Sequence, residues 1–188
     1  MTQRTALFEA IRPFAPDKRF LTAHVDAIDA LADGFGIPRG SGKTGLEPSK
    51  ECEDLIKSFE SCRLDAYMPT KNDVPTIGWG TTKGVKMGMR WTQAQADAAF
   101  AAELAEFGAQ VASRLGSAPT TQGQYDAMVS LAYNIGVGAF GDSTLLKLHK
   151  AGDYVAAAAQ FARWNKQAGV VLNGLTRRRA AEAGMYLS

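Results

Sequence analysis

The segment from Thr121 to Ile135 constrains the fold more than any other part of the chain. Thr121 and Gln124 mark a helix start, and Tyr125, Met128, Val129, Leu131, Ala132 and Ile135 then make the helix apolar on most sides. A helix with no polar face has no stable place on a surface, so the rest of the chain must wrap it as the centre of a core. At 188 residues there is enough chain for one well-buried domain plus an accessory piece.

The elements around that helix follow from periodicity and punctuation. Thr92 with Gln95 forms a capping box, and Phe100, Leu104, Phe107, Val111 and Leu115 mark a long helix behind it. Residues 140–143 open another helix, and Asp153 caps an alanine-rich one that runs through Phe161. Trp164 is expected to plug the core, and the last helix, over residues 175–182, is expected to stop at Gly184. Ahead of the body, Leu7, Phe8 and Ile11, then Val25, Ile28, Leu31, Ala32 and Phe35, mark two short amphipathic helices over residues 5–12 and 22–35. Thr22 caps the second, and Pro13 and Pro16 break between them. Residues 36–45, GIPRGSGKTG, read as a Gly-rich linker, which divides the chain into an extension over 1–45 and a main domain over 46–188. The GSGKT in the linker is not a phosphate-binding loop. That motif needs glycine five positions before Gly42, where Ile37 stands, and a strand ahead of it, where a helix is expected.

Residues 60–82 carry the chemistry. Cys52, Leu55, Ile56 and Phe59 recur at helical spacing after Ser49, so Glu60 falls at the C-terminal end of a packed helix. A carboxyl there meets the negative end of the helix dipole and, when half-buried, loses hydration. Both effects favour the protonated form that a general acid needs. Residues 64–67 and 75–80 read as strands around a polar turn at 70–73, which brings Thr76 and Asp73 towards the helix end. A third short strand is expected at 85–87, within a polar loop over 81–90. Alone, a helical glutamate is commonly a solvated surface residue and TIGWG an ordinary strand end. Their joint occurrence with the motifs downstream points to catalysis.

Those motifs are E-x-x-R-L-x-A-Y from Glu60, then TIGWG, SLAYNIGVGAFGDSTLL and FARWNKQAGVVLNGLTRRR, in that order. With them the chain resembles the phage-type lysozyme (endolysin, muramidase) family over about residues 49–188. The resemblance implies an α+β fold in which a small antiparallel-sheet lobe and a helical lobe are joined by a long helix, with a cleft between them. It also implies hydrolysis of the β-1,4 bond between N-acetylmuramic acid and N-acetylglucosamine in bacterial peptidoglycan, by a glutamate, an aspartate and a threonine. Glu60 and Thr76 match their positions, whereas the aspartate does not. Counting nine residues on from Glu60 lands on Pro69, and counting six back from Thr76 lands on Thr70, because this loop is one residue longer. Either the nearest carboxylate, Asp73, orients the attacking water, or the site works with Glu60, Thr76 and a water alone. Asp65 matches an exposed family position. In an inverting arrangement the two carboxyls stand roughly 6.5–9.5 Å apart to admit that water. Thr81 stands where the family commonly has histidine, so a polar contact is lost or remade there. Asn134 matches an amide facing the sugar cleft, and reads as a substrate contact or as a helix cap. Two rival readings remain, a non-catalytic peptidoglycan-binding module and a lytic transglycosylase using Glu60 alone.

The remaining composition bounds cofactors and partners. Cys52 and Cys62 make no disulfide framework, and His24 and His149 stand far apart without cysteine partners, so neither a metal nor another cofactor is expected. No run of about 18 apolar residues and no basic-then-apolar leader occurs. With that, the endolysin resemblance implies a chain that accumulates in the host cytoplasm, depends on a separate holin for release and then acts on the wall; a monomer is expected. Peptidoglycan is its partner, without nucleic acid or stable membrane insertion. From Arg163 onwards there are five basic residues and one acidic, against six and six in residues 1–49. Such a basic end suits an anionic polymer or is a solvated helix face.

Overall fold

The computed structural model describes residues 45–70 and 73–188, together with residues 7, 10–14, 27, 28, 31 and 35. Among them the order is α1 (Lys50–Phe59), β1 (Arg63–Tyr67), β2 (Thr76–Gly78), α2 (Gln93–Leu115), α3 (Gln122–Ile135), α4 (Val137–Asp142), α5 (Thr144–Lys150), α6 (Tyr154–Gln160), a 3-10 turn (Phe161–Trp164), β3 (Lys166–Gln167), β4 (Val170–Val171) and α7 (Asn173–Leu187). The class is α+β, with a small antiparallel β1–β2 sheet at one end of α2 and a helical lobe at the other.

Helix α3 is the centre of that lobe, as its apolar circumference requires. Thr121 and Gln124 close a reciprocal capping box, and the whole run from Gln124 to Ala132 is buried. Helices α1, α2, α4 and α7 pack around it. Each fully buried large apolar side chain, such as Met128 or Leu131, contributes roughly 1.5–3 kcal/mol. The start of α1 is tied to the same helix. The carboxylate of Asp126 accepts from the Ser49 backbone N–H at 3.1 Å and from its hydroxyl at 2.6 Å, while Ser49 Oγ accepts from the N–H of Cys52 at 3.2 Å. Cys52 and Ile56 then bury, and that register places Glu60 at the opposite end of α1. Helices α2 and α3 meet closely at Gly108, where a Cβ would lie 2.7 Å from the Tyr125 hydroxyl and 2.8 Å from Pro48.

The β1–β2 ladder is irregular. Arg63 pairs with Gly78 and Tyr67 with Thr76, so β1 takes four steps where β2 takes two. Gly78 has φ 65°, and a Cβ there would press to 3.2 Å from the Trp91 ring, so the strand end needs glycine twice over. The expected third strand at 85–87 is absent. Gly84 and Gly88 have φ of 75° and 88° and turn the chain on both sides of it. The extra pairing falls later, with Ala66 N–H to Met89 C=O at 2.9 Å and Trp91 N–H to Leu64 C=O at 2.8 Å.

Two further expectations change at the C-terminal end, and one element is added to them. Helix α7 does not stop at Gly184 but runs to Leu187, because continuing it buries Tyr186. Glycine costs a helix about 1 kcal/mol relative to alanine, less than a buried aromatic ring returns. Trp164 is only half-buried, and Phe161 is the core plug, packed edge-on to Tyr186 at 5.6 Å. The β3–β4 hairpin was not anticipated. Its strands are exposed, so no buried alternation marks them, and Ala168 and Gly169 at φ 48° and 82° form the turn.

Most of the N-terminal expectations, including the linker with its GSGKT, lie outside the described residues. Within them, Arg12–Phe14 forms a 3-10 turn, and the Arg12 guanidinium stacks 4.7 Å over the Tyr154 ring. Of the second apolar stripe, Ile28 is buried while Leu31 and Phe35 are exposed. No helix among the described residues is long and apolar enough to cross a membrane.

Candidate active site

Glu60 leaves α1 in extended backbone, with φ −101° and ψ 154°. Its side chain is 28% exposed, and Oε1 accepts from Arg178 Nη1 at 2.6 Å. Arg178, on α7, is 3% exposed and spends its other nitrogens on buried partners: Nε on Glu182 Oε1 at 3.3 Å and Nη2 on the Ser130 carbonyl at 3.4 Å. Glu182 is fully buried and also accepts from the Ser130 hydroxyl at 2.7 Å and from Arg179 Nη2 at 2.9 Å. Burial pushes the Glu182 carboxyl up, and Arg179, followed by Ser130 and Arg178, pulls it back. Its Oε1 accepts from three donors, the behaviour of a carboxylate. A row of alternating charges therefore runs from half-exposed Glu60 into the core.

That row is what the sequence reading missed. It weighed the helix end and burial on Glu60, whereas the structure adds a cation at ion-pair distance. It also took the C-terminal arginines for a solvated or polymer-facing surface, yet Arg178 and Arg179 are both buried. The available signal was Glu182, the one acid in that stretch, standing at i+4 from Arg178 and i+3 from Arg179.

Thr76 is buried on β2 and donates to the Val74 carbonyl at 3.0 Å. Asp73 lies exposed in the turn before it, its N–H donating to Thr70 C=O at 3.2 Å and its Oδ1 accepting from the Val74 N–H at 3.1 Å. Among the described residues no hydrogen bond or ion pair joins Glu60 to either of them. Asp65 is exposed, as expected, and pairs with Arg90 at 3.3 Å. Asn134 is exposed near the end of α3, while Gly136, at φ 87°, ends the helix by donating to Ala132 C=O. The capping role therefore belongs to Gly136.

Between the sheet and α3 stands an aromatic wall. Trp79 Nε1 donates to Asp97 on α2 at 2.8 Å, and Asp97 also accepts from Lys57 at 2.9 Å and Gln93 at 3.2 Å. Lys57 foremost, then Trp79 and Gln93, bring the Asp97 carboxyl down to about 2. The Tyr133 hydroxyl reaches the Trp79 carbonyl at 3.5 Å, and its ring packs 5.7 Å from Phe100 and 5.1 Å from Phe107. The Thr81 hydroxyl, at the usual histidine position, is buried near Glu103 without reaching hydrogen-bond geometry. Burial raises the Glu103 carboxyl, and the nearby Thr81 pulls it back. His149 lies in the helical core with both ring nitrogens occupied, by Thr120 at 2.9 Å and Tyr186 at 2.6 Å. Among the described residues no cluster of three or more His, Cys, Asp or Glu could hold a metal ion.

The phage lysozyme family model matches residues 57–182. The endolysin of Acyrthosiphon pisum secondary endosymbiont phage 1 is 40% identical over 138 residues, covering 71% of this chain and 93% of that one. Among solved structures, the endolysin from Escherichia coli O157:H7 phage FAHEc1 is 41% identical at TM-score 0.70, covering 78% of this chain and 96% of that one. The muramidase domain of SpmX from Asticaccaulis excentricus is 35% identical at TM-score 0.70, covering 76% and 99%.

Proposed function

Because this chain belongs to the phage lysozyme family and is a peptidoglycan-degrading hydrolase of the endolysin type, we propose that it cleaves the β-1,4 bond between N-acetylmuramic acid and N-acetylglucosamine, with Glu60 as the general acid. The observation that carries the assignment is the seating of Glu60. It caps a helix anchored in the core, and Arg178 engages Oε1 at 2.6 Å while Oε2 has no protein hydrogen bond among the described residues. Oε2 then delivers the proton to the glycosidic oxygen as the C–O bond breaks. A water attacks the anomeric carbon from the opposite face and gives its proton to a carboxylate.

Thr76 and Asp73 are the groups proposed to hold that water. Thr76 opens β2, and Asp73 is the exposed carboxylate three residues ahead of it in the preceding turn. Asn134, exposed and free of capping duty, is proposed to contact the sugar. Trp79 and Tyr133, both partly buried against the core and joined at 3.5 Å, are proposed to line the sugar cleft beside it. A monomer that waits in the host cytoplasm for a separate holin completes the reading; sizing chromatography and fractionation of cells before lysis check both parts.

The decisive variant is Glu60→Gln. The amide keeps the shape and can still accept from Arg178, but it cannot donate the acid proton. Turnover of purified peptidoglycan is expected to fall by about a hundredfold to ten-thousandfold with the fold retained. Wild-type clearing of chloroformed cells by this variant would end the assignment.

A further inference from the structure

The buried row behind Glu60 has an asymmetry that a general need for stability does not explain. Arg178 serves two carboxylates at once, Glu60 at 2.6 Å and Glu182 at 3.3 Å, through different nitrogens of one guanidinium. The two compete for it unequally, since Glu60 is 28% exposed and has water, whereas Glu182 is fully buried and has only protein. A desolvated carboxylate draws a cation more strongly than a hydrated one. Left to these two partners, Arg178 would turn inwards. Arg179 is the third party. It meets Glu182 at 2.9 Å through both Nε and Nη2, but only the Nη2 contact is aligned for donation, so it contributes charge more than geometry. The Ser130 hydroxyl adds a donor at 2.7 Å, and the Ser130 carbonyl receives Arg178 Nη2.

We propose that Arg179 and Ser130 are positioning residues for catalysis: by satisfying Glu182 they leave Arg178 Nη1 free to hold Glu60 in its working orientation. This deepens the reading of Glu60 as the acid and rests on it. The chain of contacts is Arg179 and Ser130 to Glu182, Glu182 to Arg178, and Arg178 to Glu60. Two guanidiniums then serve two carboxyl groups, with the solvent-facing one kept for chemistry. Removing the Arg179 guanidinium leaves one cation for both, and the ionised, buried Glu182 takes it. Removing the Glu182 charge as well leaves Glu60 as the one claimant on Arg178.

The test measures kcat and KM on soluble peptidoglycan fragments, at a temperature where circular dichroism shows each full-length variant folded. A misplacement of about 1 Å in a catalytic group can cost a hundredfold. Arg179→Met is therefore expected to lower kcat tenfold to a hundredfold with KM within twofold. Adding Glu182→Gln to it should return kcat to within threefold of wild type. Ser130→Ala is the milder probe should Arg179→Met not fold, with a threefold to tenfold loss in kcat that Glu182→Gln again reverses. Arg179→Lys keeps the charge and should stay within threefold of wild type. A kcat unchanged in Arg179→Met and Ser130→Ala, or lost without recovery in the Glu182→Gln backgrounds, overturns the positioning role while an inactive Glu60→Gln leaves the acid assignment standing. An active Glu60→Gln overturns both.

Discussion

His149 should make the stability of this protein fall steeply with acid. The ring is fully buried, and its hydrogen bonds specify the tautomer. The Thr120 hydroxyl spends its proton on the Ala118 carbonyl at 2.8 Å, so it accepts from His149 Nε2–H, and Nδ1 accepts from the Tyr186 hydroxyl. A second proton would place Nδ1–H against Tyr186 and leave a charge in the core. Burial foremost, then the nearby charges of Arg12 and Lys150, bring the imidazole down from 6.5 to about 3. A depressed value in the folded state means that the unfolded chain binds the extra proton. Stability from this group is therefore complete above about pH 6.5 and is lost as pH falls towards 3. At about 1.36 kcal/mol per pH unit, acidification from pH 7 to pH 5 costs about 2 kcal/mol, and the full window costs about 5 kcal/mol. For a chain of this size, 2 kcal/mol lowers Tm by about 4–8 °C. Urea melts at pH 7 and pH 5, in wild type and His149→Gln, isolate the effect, because other titrating groups cancel in the difference. The glutamine variant should be less stable at pH 7 but lose about 2 kcal/mol less between the two. Equal losses in both proteins would refute the reasoning.

Two further outcomes follow from the site and the N-terminal stretch. Asp73→Asn is expected to lower kcat by about a hundredfold or more if Asp73 takes the proton of the attacking water, whereas Asp65→Asn, which breaks only an exposed pair with Arg90, should be nearly silent; initial rates on purified peptidoglycan decide, and equal small losses would leave the site to Glu60, Thr76 and water. Deleting residues 1–45 should lower Tm and expose dye-binding apolar surface, since Arg12 stacks on Tyr154 and a segment below about 40 residues seldom folds alone. Its turnover should fall only in step with stability, and an unchanged Tm with activity lost on intact cells would instead mark a targeting segment.

What the sequence made legible was local and repetitive. The capping box at Thr92 and the helix start at Thr121 occur as read, the second also as a capping box, because these hydrogen bonds form within four residues. The apolar circumference of α3 forced its central place, and the stripe of Cys52 and Ile56 placed Glu60 at a helix end. The β1 and β2 strands were legible, but not their bulge or the pairing at Met89 and Trp91, which depend on where Gly84 and Gly88 turn the chain. Helix α7 outran its expected stop because the gain from burying Tyr186 is tertiary. Glu60 was singled out by motif, whereas its cation was not. Arg178 lies 118 residues away in sequence, and three successive arginines do not announce which of them turns inwards.

Mass spectrometry of the fragments released from purified peptidoglycan tests the central claim most directly. A hydrolase acting through Glu60 and water must release muropeptides with reducing N-acetylmuramic acid ends, and Glu60→Gln must release almost none. Anhydro muropeptides from the wild-type protein would contradict the account, because they form when the sugar's own hydroxyl replaces the water.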